Sequence, residues 1–153
     1  MKTLTLHINE ALKIGKDISS FSTHSCQPKT KEELIKIIKD RISKEGPNCD
    51  LNDIDTSLIT NMTFLFCGAN FNGNISKWNT SKVEDMSCMF EYSKFNGDLS
   101  NWDVSKVKNM IVMFACSKFN QDISNWKINK DCKITNMFKD CQIKEEYKPE
   151  LPE

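Results

Sequence analysis

The sequence lacks the long apolar stretches and the charge excess that mark membrane and nucleic-acid-binding proteins. No run of apolar residues approaches the ~20 that a transmembrane helix requires. The amino-terminal residues alternate apolar with polar side chains instead of forming the apolar core of a signal peptide. Lys plus Arg and Asp plus Glu both number 21, so no net charge attracts nucleic acid or an anionic membrane. These absences predict a cytoplasmic protein that binds neither.

The residues from which most active sites are built are also scarce. There are two histidines, His7 and His24, and neither stands at a recognisable spacing from a nucleophile and an acid. Five glycines form no phosphate-binding loop. Seven cysteines include no C-x₂-C pair, and their odd number without a secretion signal predicts free thiols. We therefore predict no enzyme, no cofactor and no metal; an enzymatic role would need both histidines and a cysteine to converge.

The sequence does contain one motif that is repeated three times. The copies are FNGNISKWNTSKVEDMSCMF from Phe71, FNGDLSNWDVSKVKNMIVMF from Phe95 and FNQDISNWKINKDCKITNMF from Phe119, each 24 residues after the last. Apolar residues at the same phase begin near Cys49, so residues 49–141 hold about four coils. A fixed period of this size indicates stacked units that share a continuous core.

Within each coil the apolar spacing changes midway. Phe71 and Ile75 lie on one side of an extended segment, whereas Val83, Met86 and Met89 recur at a helical spacing. This pattern predicts an α/β solenoid with a short parallel sheet on one face and short helical turns on the other. The repeated Phe, Trp, Val and Met positions should form the core, and the repeated asparagines Asn72, Asn96 and Asn120 should form a structural ladder.

The two ends of the chain differ from the repeats. The pattern of residues 1–26 predicts a short strand, with Leu4, Leu6 and Ile8 on one face. Residues 27–48 predict a capping helix that starts after Thr30 and ends near Gly46. In the last coil, Asp131 takes the place of the core valines, and the charged tail 142–153 is expected to fray.

Polar columns that should face solvent are the candidate binding residues. Asn74, Asp98 and Asp122 have the opposite parity from the inner Phe and Ile, so they should project side by side. Lysines recur on a different edge at Lys82, Lys106 and Lys130. Either row can bind a protein partner or serve as a solvated surface. The Asn74 column is the first choice because solenoids present extended faces to partners.

The recurring Phe, Asn, Ile, Trp, Ser, Val, Met and Phe resemble the repeats of the BspA-type leucine-rich-repeat-like family. The resemblance covers about residues 49–141 and implies a leucine-rich-repeat-like fold. The family's name comes from bacterial surface proteins implicated in adhesion. We therefore predict a non-enzymatic repeat-scaffold protein that acts as a protein-protein interaction module. The alternative is a bacterial surface adhesin-like protein that binds host or matrix proteins.

Overall fold

The computed structural model describes residues 26–152. The strand predicted at Leu4, Leu6 and Ile8 lies outside the described residues, as do both histidines. Within residues 26–152 there is one α-helix, α1 (Lys31–Glu45), and one 3₁₀ helix (Glu145–Tyr147). No helix in this part of the chain has the length and apolar character needed to cross a membrane.

Helix α1 forms where its end signals predict it. The Thr30 hydroxyl accepts a hydrogen bond from the backbone N–H of Glu33 at 3.2 Å, and the Glu33 carboxylate accepts from the N–H of Lys29 at 2.7 Å. At the other end Gly46 has φ 89°, and its N–H donates to the carbonyl of Ile42. A positive φ is open to glycine, which therefore ends the helix without steric strain.

One face of α1 covers the first repeat. Leu34 and Ile38 are buried in the same core as the repeats. Arg41 fixes the helix from the side, because its guanidinium pairs with the Asp53 carboxylate at 2.9 Å and donates to the Asp50 carbonyl at 2.8 Å. The side chain of Lys31 donates to the Thr63 hydroxyl at 2.5 Å. The helix is thus held by apolar burial and by polar contacts at its edges.

The predicted α/β class with a parallel sheet is wrong. Residues 26–152 contain no β-strand, only isolated parallel bridges, of which four join residues 24 apart. The reason lies in the polar side chains of the segment expected to be extended. The Asn72 side chain, not its backbone, accepts from the N–H of Asn96, and the Asn74 side chain turns the chain by accepting from Ser76. Side-chain acceptors therefore replace the main-chain ladder that a sheet requires.

The predicted helical turns are also wrong. The chain instead forms four turn blocks, residues 62–69, 86–93, 110–117 and 134–141. Each contains three overlapping turns in which an N–H donates to the carbonyl three residues earlier. A helix needs right-handed φ throughout, whereas two residues in each block have positive φ. They are Phe64 and Gly68, Cys88 and Tyr92, Val112 and Cys116, and Asn136 and Asp140.

Successive repeats nevertheless lie directly against one another. In the first three turn blocks, every second N–H donates to a carbonyl 23 residues further along the chain, as in the 2.9 Å bond from Phe66 to Met89. The core columns predicted from the repeat are buried, and their rings stack in register. Ring centroids are 5.6, 5.5 and 5.7 Å apart along Phe66, Phe90, Phe114 and Phe138. Apolar burial is thus continuous from α1 to the last repeat.

The last repeat differs from its prediction in two ways. Cys132 enters the core in place of Val107, and Asp131, which shares the phase of the core valines, is exposed. The carboxyl-terminal tail packs against the last repeat instead of fraying. Ile143 is buried, and the Tyr147 carbonyl accepts from the N–H of Ile123 at 3.0 Å. The tail therefore covers the final repeat, as α1 covers the first.

Candidate interaction surfaces

The first surface is the ladder face, formed by residues 72–76, 96–100 and 120–124. Three asparagines at one phase join each repeat to the next through their Oδ1 atoms. Each accepts from the backbone N–H 24 residues later: Asn72 from Asn96 at 2.7 Å, Asn96 from Asn120 at 2.8 Å and Asn120 from Lys144 at 3.0 Å. The predicted asparagine ladder is therefore present, and its role is structural.

The candidate residues Asn74, Asp98 and Asp122 lie on the ladder face, and all three are exposed. Each Oδ1 accepts from the N–H two residues later, so each side chain stabilises a local turn. The bonds from Ser124 lower the pKa of the Asp122 carboxyl. Asp98 and Asp122 also line a polar groove of about 310 Å³. These residues are brought to one face, but their side chains already have a structural task.

The candidate lysines Lys82, Lys106 and Lys130 are also exposed at one phase. None forms an ion pair within residues 26–152. A neighbouring column does, since Lys108 pairs with Glu84 in the preceding repeat at 2.8 Å. No hydrogen bond or ion pair of the described residues joins the lysine column to Asn74, Asp98 or Asp122. The two predicted rows are therefore separate features of the surface.

The second surface is the turn edge, formed by residues 63–68, 87–92 and 111–116. It carries the two most exposed large apolar side chains of the core-forming repeats, Phe64 at 58% and Tyr92 at 64%. Val112, Cys88 and Cys116 lie half-buried at matching phases in the neighbouring repeats. Exposed aromatic residues of this kind are typical of protein-binding surfaces.

The backbone makes these apolar residues unexpected. Phe64, Tyr92 and Val112 have φ of 58°, 55° and 51°. A left-handed conformation costs a residue with a Cβ roughly 1–2 kcal/mol, and only glycine, with asparagine and aspartate to a lesser degree, adopts it readily. Gly68 and Asn136 show that the same phases accept such residues in other repeats. The turn edge therefore places bulky residues at positions where glycine or asparagine would have less backbone strain.

The turn edge is also almost free of charge. Glu91 is its only charged residue, although charged residues make up 27% of the whole chain. Glu91 is half-buried, and no cation of residues 26–152 lies within ion-pair distance of it. Its carboxylate lies beside two thiols. Burial and the Glu91 charge together raise the pKa of Cys88 to about 11 and also raise the pKa of Cys67.

The cysteines form no cross-link and no metal centre in the described residues. All seven lie within residues 26–152 and are free thiols. No group of three or more His, Cys, Asp or Glu side chains in this part of the chain is placed to hold a metal ion. Burial raises the pKa of the Cys132 thiol to about 11, as expected for a cysteine that packs as a small apolar residue. His24, the neighbour of Cys26 in sequence, lies outside the described residues.

The sequence prediction missed Phe64 and Tyr92. Both lie one or two residues from the repeated Met-Phe positions, where the apolar spacing predicts a helical turn. A usable signal was present nonetheless. At the phase of Phe64 the successive residues are Cys88, Val112 and Asn136. A column that is apolar in three repeats without keeping one side-chain shape indicates a surface more than a stacked core.

Comparison with known proteins identifies the family. The family model described as "Mycoplasma protein of unknown function, DUF285" matches residues 37–148. No curated protein and no solved structure matches the chain. The matched range includes the four turn blocks, the ladder face and most of the tail that packs on the last repeat. Because the match covers well over half of the chain, the protein belongs to the DUF285 family of Mycoplasma proteins of unknown function.

Proposed function

We propose that this protein is a non-enzymatic repeat scaffold that binds a protein partner through its turn edge. The observation that carries the proposal is the exposure of Phe64 and Tyr92 on left-handed backbone. Strained residues tend to cluster at functional sites. Interface centres are rich in aromatic side chains and poor in charge, as the turn edge is.

The repeat stack suits this task because it holds the turn edge rigidly. Each of the three segments of the edge contains one buried phenylalanine, Phe66, Phe90 or Phe114, which packs into the core. The N–H groups of Phe64 and Cys88 donate to carbonyls of the next repeat at 3.1 and 3.0 Å. A surface fixed in this way loses little conformational entropy when a partner binds.

Two finer expectations belong to the same proposal. The seven free thiols favour action in a reducing compartment such as the cytoplasm. The likeness to BspA-type repeats supports a scaffold role as a likeness of sequence, without the sheet that those repeats implied.

Affinity capture with paired variants tests the proposal. The wild-type chain, a Phe64→Asn/Tyr92→Asn variant and an Asp98→Lys/Asp122→Lys variant are immobilised in equal amounts, and recovered proteins are identified by mass spectrometry. Asparagine is chosen because it adopts a left-handed backbone more readily than phenylalanine or tyrosine. We expect a partner that the wild type and the Asp variant retain and the aromatic variant loses.

The reverse result would assign partner binding to a different surface. A partner lost from the Asp98→Lys/Asp122→Lys variant and kept by the aromatic variant would assign binding to the ladder face. Recovery of no protein that depends on either face would contradict the scaffold proposal. Circular dichroism and denaturation of each variant show whether a loss reflects misfolding.

A further inference from the structure

The chemistry of the turn edge restricts the partner that can cover it. We infer that the turn edge binds a short protein segment in which a Lys or Arg lies beside an apolar side chain, with the cation pairing Glu91. This inference rests on the proposed function and adds the chemical class of the partner. It is carried by the position of Glu91, by its lack of an ion-pair partner in residues 26–152 and by the limits of the apolar surface.

Glu91 is the one charged group of the turn edge, and an apolar partner could not cover it without cost. It lies in the middle repeat of the turn edge, next to Tyr92 in sequence. Its backbone is fixed, because its carbonyl accepts from the N–H of Gly68 at 2.7 Å and its N–H donates to the Cys88 carbonyl. The neighbouring thiol of Cys88 is a weak donor and cannot neutralise a carboxylate.

Charge complementarity follows from that arrangement. A partner that buried Glu91 without a cation would leave an unpaired buried charge, which would weaken binding. A Lys or Arg from the partner would remove this cost and form a charge-assisted hydrogen bond. The apolar side chains around Glu91 then contact the partner on either side of the cation.

The limits of the turn edge set the size of the segment. At the first repeat the edge meets α1, where Lys31 is already occupied by Thr63. At the fourth repeat the apolar phases change to exposed polar residues, namely Asn136, Lys139 and Asp140. The rings beneath these three repeats are 5.6 and 5.5 Å apart, so the apolar surface is about 11 Å from the first repeat to the third. That width suits a few residues of extended chain or one face of a short helix.

The test uses purified full-length chain and a displayed library of random short peptides. Selected peptides are synthesised, and their affinity is measured by fluorescence anisotropy against the wild type, Glu91→Gln, Phe64→Asn and the control Glu84→Gln. Glu84 is a matched control because it is exposed and already paired with Lys108. A parallel arm measures binding to vesicles of phosphatidylcholine with phosphatidylserine.

We expect enriched peptides to contain Lys or Arg beside apolar residues. Glu91→Gln should weaken them by about tenfold or more, as loss of one member of a buried ion pair does. Phe64→Asn should also weaken them, whereas Glu84→Gln should not. Exchanging the charges, with Glu91→Lys in the protein and Lys→Glu in the peptide, should restore part of the affinity.

Other outcomes separate the two proposals. Peptides that need Phe64 but lack a basic residue, or that tolerate Glu91→Gln, would overturn the inference and leave the proposed function standing. A failure to enrich any peptide, or binding that is indifferent to Phe64→Asn, would count against the turn edge itself. Vesicle binding that requires Phe64 would overturn both in favour of a lipid surface.

Discussion

The ladder face and the turn edge are built from the same 24-residue repeat and use their exposed residues in opposite ways. On the ladder face the exposed polar side chains bond within and between repeats, as Asn72 does with the N–H of Asn96. On the turn edge, Phe64 and Tyr92 project apolar rings into solvent from a strained backbone. The side chains of the ladder face hold the stack together. On the turn edge the rings of Phe64 and Tyr92 are exposed for contact, although the Tyr92 side chain also hydrogen-bonds to Cys116.

This difference helps to distinguish the residues of a repeat that hold the stack together from those that are exposed for binding. The ladder column keeps one residue type in each repeat, because a hydrogen bond between stacked units has one geometry. The turn-edge column changes from Phe64 through Cys88 and Val112 to Asn136. In these two columns, the one that keeps a single residue type bonds successive repeats, and the one that varies lies on the turn edge.

The largest expected effect is on the free energy of unfolding, and it should differ between a buried and a half-buried residue of one turn block. Phe114 is fully buried, and its ring stacks on Phe90 and Phe119. Phe114→Ala should reduce the free energy of unfolding by about 3–5 kcal/mol. The control Val112→Ala changes a half-buried residue of the turn edge and should cost much less. Urea denaturation of both variants checks this, and equal losses would mean that the turn edge is part of the core.

A smaller loss should come from the indole column that bonds one repeat to its predecessor. The Trp102 Nε1–H donates to the Ile75 carbonyl at 3.1 Å in a buried setting. Trp102→Phe leaves that carbonyl without its donor and should cost about 1–3 kcal/mol. Thermal unfolding followed by circular dichroism measures the loss. An unchanged melting temperature would show that the bond does not stabilise the stack.

The ladder asparagines should contribute less because they are accessible to water. Asn96→Ala removes the acceptor for the N–H of Asn120 and should cost about 0.5–1.5 kcal/mol. Asn101→Ala is the matched control, since Asn101 is exposed and its side chain makes no hydrogen bond within residues 26–152. Chemical denaturation should distinguish the two. Equal stabilities of the Asn96→Ala and Asn101→Ala variants would show that the ladder does not stabilise the stack.

Replacing Phe64 with asparagine should leave stability equal or improve it. Phe64→Asn replaces an aromatic residue at positive φ with one that adopts this conformation more readily, so the free energy of unfolding should rise by up to about 1 kcal/mol. Denaturation measures the change beside Asn96→Ala. A loss larger than that of Asn96→Ala would mean that Phe64 is a structural residue, which would contradict the comparison of the two surfaces.

The smallest effect concerns acid stability. Hydrogen bonds from the Ser105 hydroxyl and N–H lower the pKa of the Asp103 carboxyl. A lowered folded pKa means that the stabilisation is present above the unfolded value of ~3.9 and is lost as pH falls through the folded value. Asp103→Asn keeps an acceptor and cannot titrate. Its melting temperature should therefore fall less than that of the wild type between about pH 5 and pH 2.

Parts of this structure could be predicted from the sequence because they depend on local or strictly periodic signals. Helix α1 follows from Thr30, Glu33 and Gly46, which act on the backbone within a few residues. The stacked core follows from the period of 24. The sheet was predicted wrongly because the alternation of inward and outward residues does not show that Asn72 and Asn74 bond to backbone groups with their side chains. An ungapped alignment of the repeats shows Asp131 in the valine column, but it does not show that Cys132 takes the core position instead.

The sequence by itself determined that units of 24 residues stack, which columns are buried and where the capping helix begins and ends. Those features rest on apolar periodicity and on end signals that act within one turn. Only the tertiary structure decided that the turn blocks contain left-handed residues, that Glu91 has no ion-pair partner in residues 26–152, and that Phe64 and Tyr92 face solvent. These depend on hydrogen bonds between residues 23 or 24 apart, which fix the backbone direction at each position and thereby decide which side chains point outward.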